Sequence, residues 1–273
     1  MAARLPAAED PPRVEAVPAR LLSTLLDFGI HPGAVGAERL HDRRVTAWEA
    51  AAPVARAAPW TAHVERPQLE CALLAVLLAS GRVTVVLDAT APAVDRPARP
   101  ASRPGRPAWF GAGWQARWLI DATGRRAITA TRRVRAPAPW SGRTFWAARA
   151  DCPATPEFQI AALPDGYAYR LGAATHVGLG FVGRGTGAVA DPHDLAARLR
   201  EAEAGWMLDG LPDLRAMRPG RTQPATVQWT AAGPCVRIGD AALARDVLSS
   251  QGLATGISEA LYSAAIATEE DRV

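Results

Sequence analysis

Residues 235–257, CVRIGDAALARDVLSSQGLATGI, constrain the fold more than any other stretch. They read as a short apolar strand, an acidic turn and a glycine turn that opens a helix. The strand from Cys235 to Ile238 delivers Gly239, Asp240 and Ala241 to its end, where the Asp240 carboxylate can accept hydrogen bonds from sugar-type hydroxyls. Gly252 lets backbone approach a planar ligand closely as the helix begins. The free N–H groups of that first turn, at Leu253 and Ala254, attract an electron-rich oxygen. Such a unit can hold a polar cofactor.

The arrangement suits a flavin, and the chain resembles the FAD-binding fold of the aromatic-hydroxylase type. That fold is shared by p-hydroxybenzoate hydroxylase-like monooxygenases, geranylgeranyl reductases and tryptophan halogenases. Residues 239–242 match the family's Gly-Asp-Ala-Ala turn in full, whereas its Asp-Pro and Gly-x-Gly-hydrophobic continuation reads DVLSSQGL at 246–253. Residues 118–125, WLIDATGR, resemble the family's strand ending in Asp-Ala-x-Gly-Arg, which passes close to the cofactor and marks Asp121 and Gly124. Residues 64–74, VERPQLECALL, resemble its Arg-x-x-hydrophobic-x-x-x-Leu helix, which precedes a short strand, here 81–87. In relatives that arginine reaches the flavin, which makes Arg66 a candidate contact; a solvated arginine at a helix start is the plain alternative. The resemblance thus implies FAD as cofactor, bound by Gly239, Asp240, Ala241, Gly252, Leu253, Ala254, Arg66, Asp121 and Gly124. No residue stands out as catalytic and none as a metal ligand.

The family opens with a strand and a Gly-x-Gly-x-x-Gly turn that cradles the FAD pyrophosphate, followed by an acidic residue about 20 positions on. Residues 1–20 are instead rich in alanine, proline and charge, and the first helical period falls at 20–28. The expectation is an FAD-binding layer truncated at its N-terminus. Four lost cradle bonds would weaken FAD binding by about 2–6 kcal/mol, so the chain is expected to be isolated colourless or aggregated. Residues 178–183, GLGFVG, satisfy the glycine fingerprint but sit between two strand-like runs and another turn. They therefore read as antiparallel sheet.

The expected fold class is α/β (α+β), a Rossmann-like layer with an inserted antiparallel sheet. Residues 1–131 form a partial FAD-binding domain interrupted by a Pro/Arg-rich loop at 88–113. Residues 132–224 form the substrate domain, with strands at 143–150, 157–162, 166–171 and 175–182 and a helix at 191–205 that starts on Asp191 and Pro192. Residues 225–273 return to the FAD layer. Trp146, Phe158, Tyr167 and Tyr169 are candidates for a substrate-facing stripe.

The chain of 273 residues is long enough to bury a core. Its 31 basic residues are all arginine, it has neither lysine nor asparagine, and the pattern points to a GC-rich bacterial genome. The net charge of +4 comes without a nucleic-acid reading module. Cys71, Cys152 and Cys235 read as small hydrophobes in a reducing compartment, Cys71 and Cys235 within buried runs. The five histidines fall singly, without metal spacing. No apolar run spans a bilayer, so a cytoplasmic protein without nucleic-acid or membrane partners is expected.

By the same resemblance the protein is an oxidoreductase, a monooxygenase or hydroxylase. Its substrate is an aromatic small molecule or a partner protein, and its electrons come from NAD(P)H or a flavin reductase. Residues 246–253 look more like the branch of maturation flavoproteins that modify a residue in a partner. Tryptophan halogenases depend on a lysine that captures hypohalous acid, and this chain supplies none. A remnant that binds a partner without holding FAD is the reading from another class.

Overall fold

The computed structural model describes residues 14–37, 39–48, 52–86, 109–111, 114–130, 133–135, 143–152, 157–173, 176–184, 189, 191–216, 220–221, 225–227, 235–245 and 251–270. Along the chain run β1 (Val14–Pro18), α1 (Ala19–Asp27), β2 (Leu40–Ala47), β3 (Val54–Glu65), α2 (Arg66–Ala79), β4 (Trp109–Gly111), β5 (Trp114–Ala116) and β6 (Leu119–Asp121). Then come β7 (Arg133–Arg135), β8 (Arg143–Ala150), β9 (Phe158–Leu163), β10 (Gly166–Gly172), β11 (Val177–Arg184), α3 (Pro192–Glu201), β12 (Arg215–Ala216) and β13 (Gly220–Arg221). The last are β14 (Ala225–Val227), β15 (Cys235–Arg237), β16 (Leu243–Ala244) and α4 (Gly252–Glu270). They gather into two compact bodies.

One body is built on a nine-stranded sheet in the order β1-β3-β2-β9-β10-β11-β8-β12, with β13 also on β8. Its pairings are antiparallel except β2 on β9. Ala161, Ala168, Leu179 and Phe181 turn to one face, where they pack against Leu195 and Leu199 of α3 and against Met207. Each large side chain buried there contributes about 1.5–3 kcal/mol. Helix α3 starts where its sequence predicts: the Asp191 carboxylate accepts from the N–H groups of His193 (2.8 Å) and Asp194 (2.9 Å), and Pro192 follows it. Helix α1 stops on Gly29, at φ +76°, with Ile30 N–H reaching back to Leu25 O and Gly29 N–H to Leu26 O.

The fingerprint-like run 178–183 lies inside β11, paired on both sides, as sheet. Its glycines serve packing: a Cβ on Gly180 would fall 2.4 Å from the ring of Tyr169, its cross-strand partner.

The sheet also takes in more of the chain than the sequence pattern indicates. The sequence expectation places residues 17–88 with 114–130 and 225–273, and 132–224 apart from them. Yet β2 pairs directly with β9, from Arg44 opposite Phe158 to Ala47 opposite Ala161. The pattern hides this because in β2 only His41 and Val45 are buried, too sparse an alternation to read as a strand. Residues 81–86, expected as a strand, form none: Gly81 turns at φ +63°, and Val83 and Val86 stay exposed.

The other body comprises the parallel pair β6–β15, the sheet β16-β14-β7, the hairpin β4–β5, and α4. Most of the proline-rich loop 88–113 lies outside the described residues. The cysteines are free, but Cys71 is exposed and Cys235 only half-buried, contrary to their reading as buried hydrophobes. Helix α2 explains Cys71: although nearly all apolar, it buries only Leu69 fully.

Candidate functional site

Strand β15 runs parallel to β6, with Arg237 opposite Asp121, and the ladder continues from Ile238 N–H to Asp121 O at 3.1 Å. The chain then turns through Gly239–Ala241. Gly239 adopts φ +58°, the left-handed region that favours glycine, and its N–H donates to Glu259 Oε2 of α4 at 2.6 Å. A Cβ on Gly239 would lie 3.6 Å from the Cα of Gly256, so two glycines seat the turn against the helix. Ala241 is fully buried beneath it, against Ala127.

The Asp240 carboxylate projects at the edge of this turn, about a third exposed, 3.3 Å from Arg125 Nε. Arg125 also donates from Nη2 to Arg245 O at 2.9 Å, which ties the turn after β6 to the segment after Asp240. The sequence motif contains Arg125 as the residue after Gly124, yet periodicity gives no reason to rank it above the neighbouring arginines. Only the fold brings it to the carboxylate.

Asp121 sits at the end of the neighbouring strand in a different state. Its carboxylate is buried and accepts four hydrogen bonds, from the N–H and Oγ1 of Thr123 (3.0 and 2.6 Å) and of Thr129 (2.9 and 2.7 Å). Burial pushes its pKa up, but the hydroxyl and backbone donors of Thr123 and Thr129 outweigh this and hold it below the ordinary value. Four acceptor positions are about what a carboxylate has. Asp121 thus shapes the loop that carries Gly124, at φ +61° with open space around it, and Arg125.

Helix α4 begins at Gly252, where an added Cβ would meet nothing within 4 Å. Thr255 N–H makes the first turn bond, to Gln251 O, so the N–H groups of Gly252, Leu253 and Ala254 have no acceptor within the helix. Residues 246–250 lie outside the described ones. The donor set fits a flavin nucleotide: a carboxylate for hydroxyls, an arginine and helix N–H groups for anionic oxygens, and glycines that leave room.

Arg66 belongs to the sheet body and is engaged within it. It donates from Nη1 to Glu15 at 2.8 Å and from Nε to Glu70 at 2.6 Å. Burial works against its charge, but the two carboxylates raise its pKa further above the ordinary arginine value. Its guanidinium is thus shared between two carboxylates while about a third of the side chain stays exposed. The sheet also gathers three of the histidines that the sequence scatters. His41 stacks on His63 at 4.3 Å, His63 Nδ1 lies 2.8 Å from Gly172 O, and His176 Nδ1 lies 3.5 Å from Glu65 Oε1. Burial first, then His41, lowers the His63 pKa to about 4, against the pull of the Gly172 carbonyl. No group of three or more His, Cys, Asp and Glu among the described residues could hold a metal. Of the expected aromatic stripe, Phe158 and Tyr169 meet edge to face at 6.3 Å, and Trp146 stands opposite Phe181 in the β8–β11 register.

No family model and no curated protein matches the chain. Solved structures do. QhpG, a peptidyl tryptophan dihydroxylase essential for tryptophylquinone cofactor biogenesis, superposes with TM-score 0.65 at 21% identity, over 91% of this chain and 56% of its own. BrvH, a flavin-dependent halogenase from Brevundimonas sp. BAL3, gives 0.67 at 13% identity, over 92% and 63%. PqsL, a probable FAD-dependent monooxygenase from Pseudomonas aeruginosa, gives 0.68 at 14% identity, over 98% and 78%. The chain spans less than two thirds of the length of the first two. It has the α/β fold, mixed sheet plus helices, of the FAD-dependent hydroxylases and halogenases. Among the described residues, no helix is long and apolar enough to cross a membrane.

Proposed function

We propose that this chain binds FAD and serves a flavin-dependent oxidoreductase, a monooxygenase or hydroxylase that acts on an aromatic group, free or carried by a partner protein. One observation carries the reading: the Asp240 carboxylate stands partly exposed at the end of β15, held by Arg125, on a turn seated against α4 by Gly239 and Gly256. Likeness of fold to a peptidyl tryptophan dihydroxylase, at 21% identity, supports the hydroxylase branch and a peptide-borne substrate. The absence of lysine from all 273 residues weighs against halogenation.

Bound flavin supplies the redox chemistry, transferring electrons between a donor and oxygen. The chain's own contribution is position. Asp240 accepts hydrogen bonds from the ligand's hydroxyls, and Arg125, 3.3 Å away, holds that carboxylate in place. The N–H groups of Leu253 and Ala254, at the positive end of α4, favour negative charge on the ligand's electron-rich oxygens. Gly124 and Gly252 leave space for close approach. Titration of the chain with FAD, followed by quenching of flavin fluorescence, is expected to saturate at one FAD per chain. Absence of saturable binding would remove the proposal.

A further inference from the structure

The sheet face opposite α3 holds a cation that pairs with no carboxylate among the described residues. Arg44, in the middle of β2, is the cross-strand partner of Phe158 in β9, and its guanidinium carbon lies 4.8 Å from the centre of the Phe158 ring. Its Nε is buried with no hydrogen-bond partner among the described residues, and no carboxylate there pairs with it. Two other arginines of the same body pair with carboxylates, Arg66 with Glu15 and Glu70 and Arg198 with Asp165 and Asp194, and Arg170 gives its Nη1 to the carbonyls of Met207 and Asp209. Burial without an anion also depresses the Arg44 pKa. A guanidinium carries five donors in a planar fork, and stacking on one ring replaces little of the hydration it gives up. A charge kept half-buried in this condition is explained when its anion arrives from outside.

The surroundings specify what kind of anion. Strand alternation places Arg44, Thr46 and Trp48 on one side of the chain. Phe158 leads from Arg44 to Tyr169, edge to face at 6.3 Å, and Trp48, 48% exposed, lies 6.2 Å from the buried Tyr167. A guanidinium whose Nε is buried without a partner, beside aromatic side chains, suits a ligand that combines a carboxylate with an aromatic ring.

We infer that Arg44 and Phe158 form a binding site for the carboxylate of an aromatic substrate. The inference rests on the proposed aromatic substrate and deepens it. The carboxylate comes either from a free aromatic acid or from an acidic side chain beside the target ring of a partner protein; the guanidinium chemistry is the same.

Binding to the full chain, measured by calorimetry without flavin, tests this apart from the cofactor reading. Indole-3-acetate is compared with indole, and a peptide containing Glu-Trp with its Gln-Trp counterpart. In wild type at least one carboxylate probe is expected to bind about tenfold or more tighter than its neutral partner. Arg44→Gln is expected to erase that advantage and leave the neutral probes unchanged, while Arg44→Lys, which keeps charge but loses the fork, retains part of it. An advantage confined to indole-3-acetate identifies a free acid, and one confined to the peptide identifies a protein side chain. No carboxylate advantage in wild type, or one that survives Arg44→Gln undiminished, overturns the site. Should Arg44→Gln not fold, Arg44→Lys decides, and an unchanged advantage in that variant overturns it equally. Asp240→Ala is expected to leave these titrations unchanged, so loss of flavin binding and loss of this site are separable.

Discussion

Two aspartates lie at the ends of two adjacent parallel strands, Asp121 opposite Arg237 and Asp240 three residues past it, and their chemistry diverges. Asp121 closes β6 with its carboxylate filled by four donors from Thr123 and Thr129. Asp240, just beyond β15, meets Arg125 and remains partly open. Both satisfy the same sequence expectation of an acid at a strand end that contacts a nucleotide. The difference lies in the residues that follow. Thr123 and Thr129 fold back on Asp121 and consume it, whereas Ala241 and Ala242 carry no side-chain donor and their N–H groups bond to Ile238 O and Gly239 O instead. In our reading Asp121 builds the loop and Asp240 serves the ligand.

The sharpest break in this comparison comes from removing the internal acid. Asp121→Ala leaves buried donors without an acceptor and is expected to cost about 3–5 kcal/mol, lowering the melting temperature by on the order of 10 °C. A melting temperature within two degrees of wild type would show that water replaces the carboxylate and that the two aspartates are alike.

Acid extends the contrast to the sheet body, where His63 is likewise used internally. Its folded pKa of about 4 lies below the unfolded value of 6.5, so the unfolded chain binds the extra proton between these values. The associated stability, roughly 3 kcal/mol, is complete above about pH 6.5 and is lost as pH falls towards 4. Urea midpoints across that interval are expected to fall in wild type and to fall less in His63→Gln. Equal slopes would place the loss on other groups. Asp121 acts lower on the scale: its depressed pKa keeps its contribution intact above the unfolded carboxylate range, and acid removes it as pH drops through the folded value.

Glycines refine the comparison with smaller effects. Gly239→Ala forces a left-handed residue into the Asp240 turn and is expected to cost about 1–2 kcal/mol. Gly252→Ala meets no neighbour and changes stability by less than about 1 kcal/mol, while it reduces flavin affinity by intruding on the ligand's space. Equal effects of the two on the melting temperature would argue that neither turn is specialised.

Much of this was legible in the residues themselves. Asp191-Pro192 announces a helix start, strands β8 to β11 fall close to their expected ranges, and the glycine-rich run 178–183 reads as sheet from its neighbours. The Gly-Asp-Ala-Ala turn is local chemistry, written in four consecutive residues at 239–242. What stayed hidden depends on partners distant in sequence. The donors that consume Asp121 include one eight residues away; Arg66 looks available until Glu15, 51 residues earlier, comes beside it. His41 meets His63, and His176 meets Glu65, only once the sheet is assembled. Strands β2 and β3 escaped because sparse burial leaves little periodicity to read.

The central claim, that Asp240 and not Asp121 is the carboxylate directed at the cofactor, is tested most directly by FAD affinity in two matched variants. Dissociation constants for Asp240→Asn and Asp121→Asn are measured by flavin fluorescence at a temperature where both are folded, alongside their melting temperatures. The account predicts that Asp240→Asn weakens FAD by about tenfold or more with little change in melting. Asp121→Asn is predicted to lower melting and to keep affinity within about threefold of wild type. Undiminished FAD affinity in Asp240→Asn, or an affinity loss that simply tracks stability in both variants, would contradict it.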